Sequence, residues 1–246
     1  MELKEKLVSS FIAFENQISL DNTFVHDIRT EAIKRFESKG FPARKDEAWK
    51  YTALKKVLKK DFSVFAKTES TIEYKDVQPY FIHDIDSYKI VFVDGKYASH
   101  LSETTHEGID IGLMSAALSK PKYQVVIENY FNKIAEKDSL TSLNTAFSNE
   151  GAYIHITKNK LVEKPIQIIH FSTGSEAALL LQPRNLIVVD ENAHVQIIER
   201  HQSLTDNPSL TNSVTEIFAA NRGIVDYYKV QNDNENASLI DSTYIN

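Results

Sequence analysis

The residues after Gly151 fall into short segments of alternating, mostly β-branched sequence, and this pattern limits the possible folds more than any other feature. Clusters of Asn, Asp, Gly and Pro separate the segments, without the Asn-Gly pairs that are typical of tight hairpins. Strand–turn–strand units of this kind indicate a coiling parallel β-solenoid, and a jelly roll or another antiparallel sandwich is the alternative. The pattern predicts strands at 152–157, 166–171, 185–189, 194–198, 213–218, 224–230 and 237–244.

A loose internal repeat supports the solenoid. The predicted pair of strands at 185–198 resembles the pair at 213–230, and the two pairs lie about 28 residues apart with an insertion at 204–211. No strict sequence motif marks the repeat, so periodicity alone leaves both the solenoid and the sandwich open.

The first part of the chain has helical periodicity instead. Apolar residues that are three or four apart predict one helix from Leu3 to Ile18. A second predicted helix begins near Asp21 or Asn22, either of which suits the N-cap, and ends at Gly40.

The middle of the chain is predicted to be mixed. A β-hairpin is predicted near 88–101, and residues 109–149 are predicted to be helical from their first residue. We therefore expect a mostly helical domain at 1–149, with that small hairpin, and a β domain at 150–246. The fold class that follows is mainly β, a parallel β-helix preceded by a helical domain.

Residues 41–60 combine the single tryptophan of the chain, Trp49, with a basic composition. Trp49, Ala53 and Val57 are four residues apart, which predicts an amphipathic helix with a solvated basic face. A surface for nucleic acid or another anionic partner is the alternative, but the net charge of −6 argues against nucleic acid. The basic residues are Arg44, Lys45, Lys50, Lys55, Lys56, Lys59 and Lys60.

The composition excludes several kinds of chemistry. The chain has no cysteine, so disulfides, thiolate nucleophiles and cysteine-ligated metal centres are excluded within it. It has only seven glycines, no phosphate-binding loop of the form GxxxxGK[ST] and no GxSxG nucleophile motif. No apolar run reaches the roughly 18 residues that a membrane span needs. We expect a soluble, cytoplasmic protein that is not an enzyme and binds neither a membrane nor nucleic acid.

The histidines offer weak candidates for a metal site. None of the eight forms HxH, HxxxH or HExxH, and the densest group of possible ligands is His83, Asp84 and Asp86, which is better explained as a polar loop. His155, His170 and His194 fall in separate predicted strands and would stack on one face if the strands coil, although exposed strand positions explain them more simply. The sequence therefore predicts no resident metal.

Three acidic residues of the predicted solenoid raise the possibility of a carbohydrate-active enzyme. Such enzymes cleave sugars with a pair of carboxylates on one face, and Asp190, Glu191 and Glu199 are the candidates. Asp190 and Glu191 fall in a predicted turn and Glu199 at a strand end, so the signal is weak. We expect no catalytic residue in this chain, and this enzyme class is the alternative function.

Four stretches of the sequence resemble a known protein family. PARKDEAWKYTAL at 42–54 resembles the N-terminal signature of the SufD family of iron–sulfur cluster assembly proteins. LNTAFSNEGAYIHITKNKLVEKPIQIIH at 143–170 is similar to the segment in which that family enters its β-helix. PRNLIVVDENAHVQIIERHQS at 183–203 and TNSVTEIFAANRGIVDYYKVQ at 211–231 resemble its successive rungs. The four matches lie in the family's order and span most of the chain.

The resemblance implies a right-handed parallel β-helix behind a helical domain, in a non-catalytic scaffold subunit. It implies pairing with a SufB-like subunit and docking of SufC, an ATPase of the ABC type. It also implies that the nascent iron–sulfur cluster belongs to the full complex, with reduced flavin as a possible further component and no cofactor bound by this chain alone.

Family members are longer than 246 residues, so the β-helix is expected to be truncated here and the SufC docking region to be missing. No histidine of this chain matches the one that the family offers at its SufB interface. An open coil end also predicts self-association of the β-helix as a homodimer.

Overall fold

Helices dominate the first part of the chain and parallel strands the last. The computed structural model describes residues 2–18, 22–52, 54–64, 72–82, 85–106, 109–174 and 178–246. The helices are α1 Leu3–Ile18, α2 Thr23–Lys39, α3 Tyr74–Val77, α4 Met114–Ser119, α5 Gln124–Tyr130 and α6 Ser139–Ala146. The strands are β1 Tyr88–Val93, β2 Lys96–Tyr97, β3 Thr105–His106, β4 Ile109–Leu113, β5 Ala152–Ile156, β6 Ile166–Ser172, β7 Leu179–Leu181, β8 Arg184–Val189, β9 His194–Ser203, β10 Ser209–Ala219, β11 Ile224–Asn232 and β12 Ser238–Ile245.

The strands form two facing sheets, and from β5 onward the chain alternates between them. One sheet has the order β12-β10-β8-β5-β4-β3, with β7 beside β10, and the other has the order β11-β9-β6-β1-β2. Among the described residues, the strands from β5 onward pair in parallel between successive coils. His194 lies opposite Ile224 in this register, so one coil takes 30 residues there. The predicted parallel solenoid is confirmed, and the antiparallel sandwich is wrong.

The turns between the two sheets repeat one backbone feature from coil to coil. Asn159, Asn192 and Arg222 each adopt a positive φ, of 62°, 57° and 57°. Asparagine tolerates this left-handed conformation better than most residues do. The Nδ2 of Asn192 also donates to Oδ1 of Asn159 at 3.0 Å, so neighbouring turns bind each other. Polar turns of this kind let the chain pass from one sheet to the other without a hairpin.

The space between the sheets is filled by aliphatic side chains. Residues two apart on a strand point to the same face, and the inward set is almost entirely Ile and Val. Neighbouring coils stack identical or similar residues, as where Ile166 lies opposite Ile197. The buried members of this core are Ile90, Phe92, Ile109, Ile111, Ala152, Ile154, Ile156, Val162, Ile166, Ile168, Ile187, Val189, Ala193, Val195, Ile197 and Ile217.

The helices cover the outside of the coil. α4 and α5 pack on the outer face of β5, β8 and β10 through Met114, Ile127 and their neighbours. α1, α2 and α6 form a second apolar layer with Leu180 and Leu210. Asn22 caps α2 by accepting the N–H of Val25 at 3.3 Å, which confirms one of the two predicted caps. In the described part of the chain, no helix has the length and apolarity needed to cross a membrane.

Two predictions for the middle of the chain need correction. The segment that starts at Ile109 is not helical at first, because β4 pairs antiparallel with β5 and only α4 and later segments are helical. The predicted hairpin exists, since Phe92 lies opposite Tyr97. It does not stand apart from the solenoid, because β1 also pairs in parallel with β6 and so extends the coil's sheet.

The predicted amphipathic helix in residues 41–60 is also wrong. The structure has two short 3-10 helices instead, at Glu47–Trp49 and Leu54–Lys59. Trp49 is only half-buried and Leu54 is buried, while Ala53 lies outside the described residues. Val57 and Leu58 of the second 3-10 helix, both half-buried, pack against the apolar layer of α1, α2 and α6. The prediction failed because the chain forms two separate short helices, so Trp49 and Val57 do not lie on one continuous helical face.

Candidate functional site

Three side chains of the types that bind metal ions meet inside the solenoid. His170 projects from β6, and Glu199 and His201 project from β9. All three are buried, and their ligand-type atoms lie within 4.8 Å of one another. Oε1 of Glu199 lies 3.0 Å from Nε2 of His201 and 3.5 Å from Nε2 of His170. We call this group the inner cluster.

Strand alternation places these residues inside. Val195 and Ile197 point into the apolar core, so Glu199 and His201, two and four residues further along β9, point the same way. The register sets His170 directly opposite His201, and the two imidazoles stack with centroids 4.7 Å apart and planes 13° apart. The inner cluster therefore continues the row of inward-facing core residues along β6 and β9, at the point where those residues become polar.

The two carboxylate oxygens of Glu199 face different partners. Oε1 accepts hydrogen bonds from Nε2 of His201 at 3.0 Å and from Nδ2 of Asn185 at 3.3 Å. Oε2 accepts from the hydroxyl of Tyr227 and lies 3.2 Å from the ammonium of Lys229. The imidazoles thus lie on one side of the carboxylate and the phenol and the ammonium on the other.

These contacts determine the protonation of the inner cluster. Burial by itself would raise the pKa of the Glu199 carboxyl, but His170, His201 and Lys229 outweigh burial and hold that pKa well below its ordinary value. Burial lowers the pKa of the His170 imidazole. Burial, together with the charge of Glu199, raises the pKa of the Tyr227 hydroxyl. At neutral pH an ionised carboxylate therefore lies beside a neutral His170 imidazole and a protonated phenol.

A cavity reaches the inner cluster at His170. It has a volume of about 200 Å³ and is also lined by Asp94, Lys96 and Glu150. Burial raises the pKa of the Glu150 carboxyl to about 7. Nε2 of His170 is buried and has no hydrogen-bond partner among the described residues. The cluster therefore combines an ionised carboxylate with an imidazole nitrogen that lies 3.5 Å from Oε1 of Glu199 and makes no hydrogen bond within the described residues.

His155, His170 and His194 do not stack on one face, which was the alternative interpretation. The favoured one, that they occupy exposed strand positions, fits His155 and His194, whereas His170 is buried inside the coil. His155 pairs with Asp190 at 3.1 Å and His194 with Asp226 at 3.0 Å, and both pairs are partly exposed. His83 and Asp84 of the other candidate site lie outside the described residues. Asp86, the remaining member of that site, is exposed and pairs with Lys164 at 2.6 Å.

The three acidic candidates do not gather on one face either. Asp190 pairs with His155 at 3.1 Å, and Glu191 pairs with Lys158 at 2.6 Å. Glu199 is fully buried inside the coil. An outer groove that holds a pair of these carboxylates for sugar cleavage is therefore missing from the described part of the chain.

Sequence reasoning missed His201, Tyr227 and Lys229 as members of the site. The metal-binding motifs HxH, HxxxH and HExxH each contain two histidines, whereas the pattern here is Glu199-x-His201. Strand alternation continued past Ile198 would have paired these two residues, since residues two apart share a face. The register with His170 has no signal in a single sequence.

The fold and the inner cluster define a class, a parallel β-solenoid whose coil encloses ionisable groups and whose outside is covered by helices. A family model described as "SufBD protein N-terminal region" matches residues 1–168. One described as "SUF system FeS cluster assembly, SufBD core domain" matches residues 170–246. The chain therefore belongs to the SufBD family of the SUF system for iron–sulfur cluster assembly, as the resemblance implied.

Named relatives agree with the family. An iron–sulfur cluster assembly SufBD family protein of Synechocystis sp. is 24% identical over 213 residues, which cover 83% of this chain and 47% of the relative. SufD of Bacillus subtilis is 31% identical over 126 residues, 49% of this chain and 27% of the relative. SufD of Escherichia coli is 24% identical over 198 residues, 79% of this chain and 43% of the relative. The match thus covers less than half the length of each relative.

Proposed function

We propose that this chain acts as a non-catalytic scaffold subunit in iron–sulfur cluster assembly. The observation that carries the proposal is the match of two SufBD family models, one after the other, to residues 1–168 and 170–246. The nascent cluster is cargo of the assembled complex, and the proposed place of action is the cytoplasm. A SufB-like subunit is the proposed direct partner, and a SufC-like ATPase joins the complex.

The solenoid offers a physical basis for pairing with a similar solenoid. β11 carries exposed apolar side chains on its outer face, and a surface of this kind favours contact with another protein. Ile224, Tyr228 and Val230 alternate along β11 and are exposed on its outer side. We call these three residues the β11 patch, and we propose that it contacts the SufB-like subunit.

A pull-down tests this proposal. The tagged chain is co-expressed with the SufB-like and SufC-like proteins of the same genome, singly and together. We expect capture of the SufB-like protein in either case and capture of the SufC-like protein only when the SufB-like protein is present. Capture of the SufC-like protein alone would place its docking surface on residues 1–246 and contradict this arrangement.

A surface variant tests the β11 patch itself. Tyr228→Lys combined with Val230→Lys puts two charges on an exposed apolar strand face and should abolish capture of the SufB-like subunit. Val125→Lys is the matched control, because Val125 is also exposed and apolar but lies on α5. Equal loss in both variants would refute a role for the β11 patch.

A second copy of this chain is the competing occupant of the same surface. We propose that the chain alone forms a homodimer through the β-helix when no SufB-like subunit is present. Light scattering at high concentration should then show a dimer that the SufB-like subunit converts to a heterodimer. A monomer at all concentrations would refute the homodimer without affecting the heterodimer.

A further inference from the structure

We propose that the inner cluster binds one divalent transition-metal ion, of the kind that imidazole and carboxylate hold together, such as Zn²⁺ or Fe²⁺. The ligands would be His170, Glu199 and His201. This inference rests on the geometry of three buried side chains and is independent of the assembly partners proposed above.

The distances suit such an ion. Ligand atoms bound at about 2.0–2.1 Å lie roughly 3.3 Å apart around a tetrahedral ion. Oε1 of Glu199 lies 3.0 Å from Nε2 of His201 and 3.5 Å from Nε2 of His170. The stacked imidazoles need to turn toward each other to bring both nitrogens onto the ion. Water would fill the remaining positions.

The unpartnered nitrogen of His170 is the independent observation. Nε2 is buried with no hydrogen-bond partner among the described residues, although Oε1 of Glu199 is only 3.5 Å away. A buried polar atom without a partner costs free energy, so native structures seldom keep one without a ligand or a water molecule. A metal ion at this position would bind a nitrogen that makes no hydrogen bond within the described part of the chain.

Lys229 is the strongest argument against a cation here, because its ammonium already lies 3.2 Å from Glu199. It approaches Oε2, however, and leaves Oε1 to the imidazoles. Its Nζ also binds the carboxylate of Asp241, so an arriving ion does not leave the ammonium without a partner. The two cations would therefore occupy opposite sides of one carboxylate.

The cluster also has a route for an ion. The cavity of about 200 Å³ reaches His170, and two carboxyl side chains, Asp94 and Glu150, line it against one ammonium, Lys96. Burial raises the pKa of Glu150 to about 7, so the cavity gains an excess of carboxylates over ammonium groups, and attracts cations, as Glu150 ionises around and above that pH. Entry through this cavity needs no opening of the coil.

Cobalt is the probe of choice, because Co²⁺ replaces Zn²⁺ at nitrogen and oxygen ligands and absorbs visible light when bound. The purified chain is stripped with a chelator and titrated with CoCl₂. We expect a visible band that saturates at one equivalent of Co²⁺, disappears on addition of excess Zn²⁺ and is accompanied by a rise in melting temperature.

Variants assign the site. Glu199→Gln and His201→Gln should each weaken Co²⁺ binding by more than about 100-fold. His155→Gln is the matched control, since His155 also pairs with a carboxylate but at the outer surface, and it should bind Co²⁺ as the parent does. A band that survives in both cluster variants would show binding elsewhere and overturn the proposal.

Lys229→Met keeps the proposal testable if the ligand variants fail to fold. Removal of the competing ammonium should tighten Co²⁺ binding by about tenfold, and the ion should restore the melting temperature that the variant loses. If the inner cluster only stabilises the fold, Lys229→Met would lower the melting temperature and Co²⁺ would not restore it. That result, or the lack of a visible band in the parent chain, would refute the metal site.

Discussion

The ion pair between Arg184 and Glu216 joins the solenoid to its helical cover. Both side chains are fully buried, and Nη2 of Arg184 lies 2.5 Å from Oε2 of Glu216. The Glu216 carboxylate also accepts the backbone N–H groups of Asn132, Ile134 and Ala135 at 2.8, 3.1 and 3.2 Å. One carboxylate thus binds Nη2 of the guanidinium and three backbone donors in the segment between α5 and α6.

Glu216→Gln should destabilise the fold by about 3–5 kcal/mol. The substitution leaves the Arg184 charge buried without a counter-ion, and loss of one member of a buried pair has this magnitude. Thr145 and Asn144 still accept hydrogen bonds from Nη1 of Arg184, but neither residue carries a compensating charge. The new amide also turns two N–H donors toward groups that are donors themselves, which adds to the loss.

Urea unfolding followed by circular dichroism measures this effect, with the slope of the transition as a check that the unfolded states match. The control is Glu191→Gln, which breaks the exposed 2.6 Å pair with Lys158 and should cost less than about 1 kcal/mol. Arg184→Met in the Glu216→Gln background should recover about 2 kcal/mol relative to the sum of the single variants. Equal effects of Glu216→Gln and Glu191→Gln would refute the reasoning.

Three further outcomes follow from burial and backbone geometry. Trp49→Ala should cost less than about 2 kcal/mol in urea unfolding, because Trp49 is half-buried, whereas Phe36→Ala at a fully buried position should cost about 3–5 kcal/mol. Between pH 4.5 and about 7 the chain should lose stability as pH rises, because the ionised form of Glu150 is disfavoured only in the folded state. Glu150→Gln should lack this pH dependence in thermal melts, and above pH 7 it should be more stable than the parent by up to about 3 kcal/mol. Gly151 has a φ of 137°, and a Cβ added there would collide with the backbone carbonyl of Arg184. Gly151→Ala should therefore lower the melting temperature more than any surface substitution, and an unchanged melting temperature would refute this.

The solenoid was predictable because its core strands alternate apolar and polar residues. β5, β6, β8 and β11 begin within a residue of their predicted starts, and Ile and Val predominate among the core residues that β5, β6 and β8 contribute. The prediction for β9 stopped at Ile198, but the strand runs to Ser203. Backbone pairing with β6 and β11 maintains the strand while its inward side chains turn polar, and hydropathy does not detect that continuation.

That early stop also explains why the inner cluster was missed. Glu199 was interpreted as a residue at a strand end, where alternation no longer assigns a face. The pairing of His170 with His201 depends on a register between coils that turn lengths determine, and one sequence does not reveal it. Ile109 shows the same limit, since apolar residues two and four apart in β4 fit a strand or a short helix until β5 selects the strand.

Two buried carboxylates of the solenoid, Glu199 and Glu216, differ in what surrounds them, and the difference bears on function. Glu216 is surrounded by N–H donors, so every hydrogen bond that it accepts is already made and the group has only a structural task. Around Oε1 of Glu199 the atoms include Nε2 of His170, which lies 3.5 Å away and makes no hydrogen bond within the described part of the chain. An imidazole nitrogen and a carboxylate oxygen at this distance can hold a proton or a cation between them. Of these two carboxylates, Glu199 is therefore the one that a positively charged ligand would stabilise.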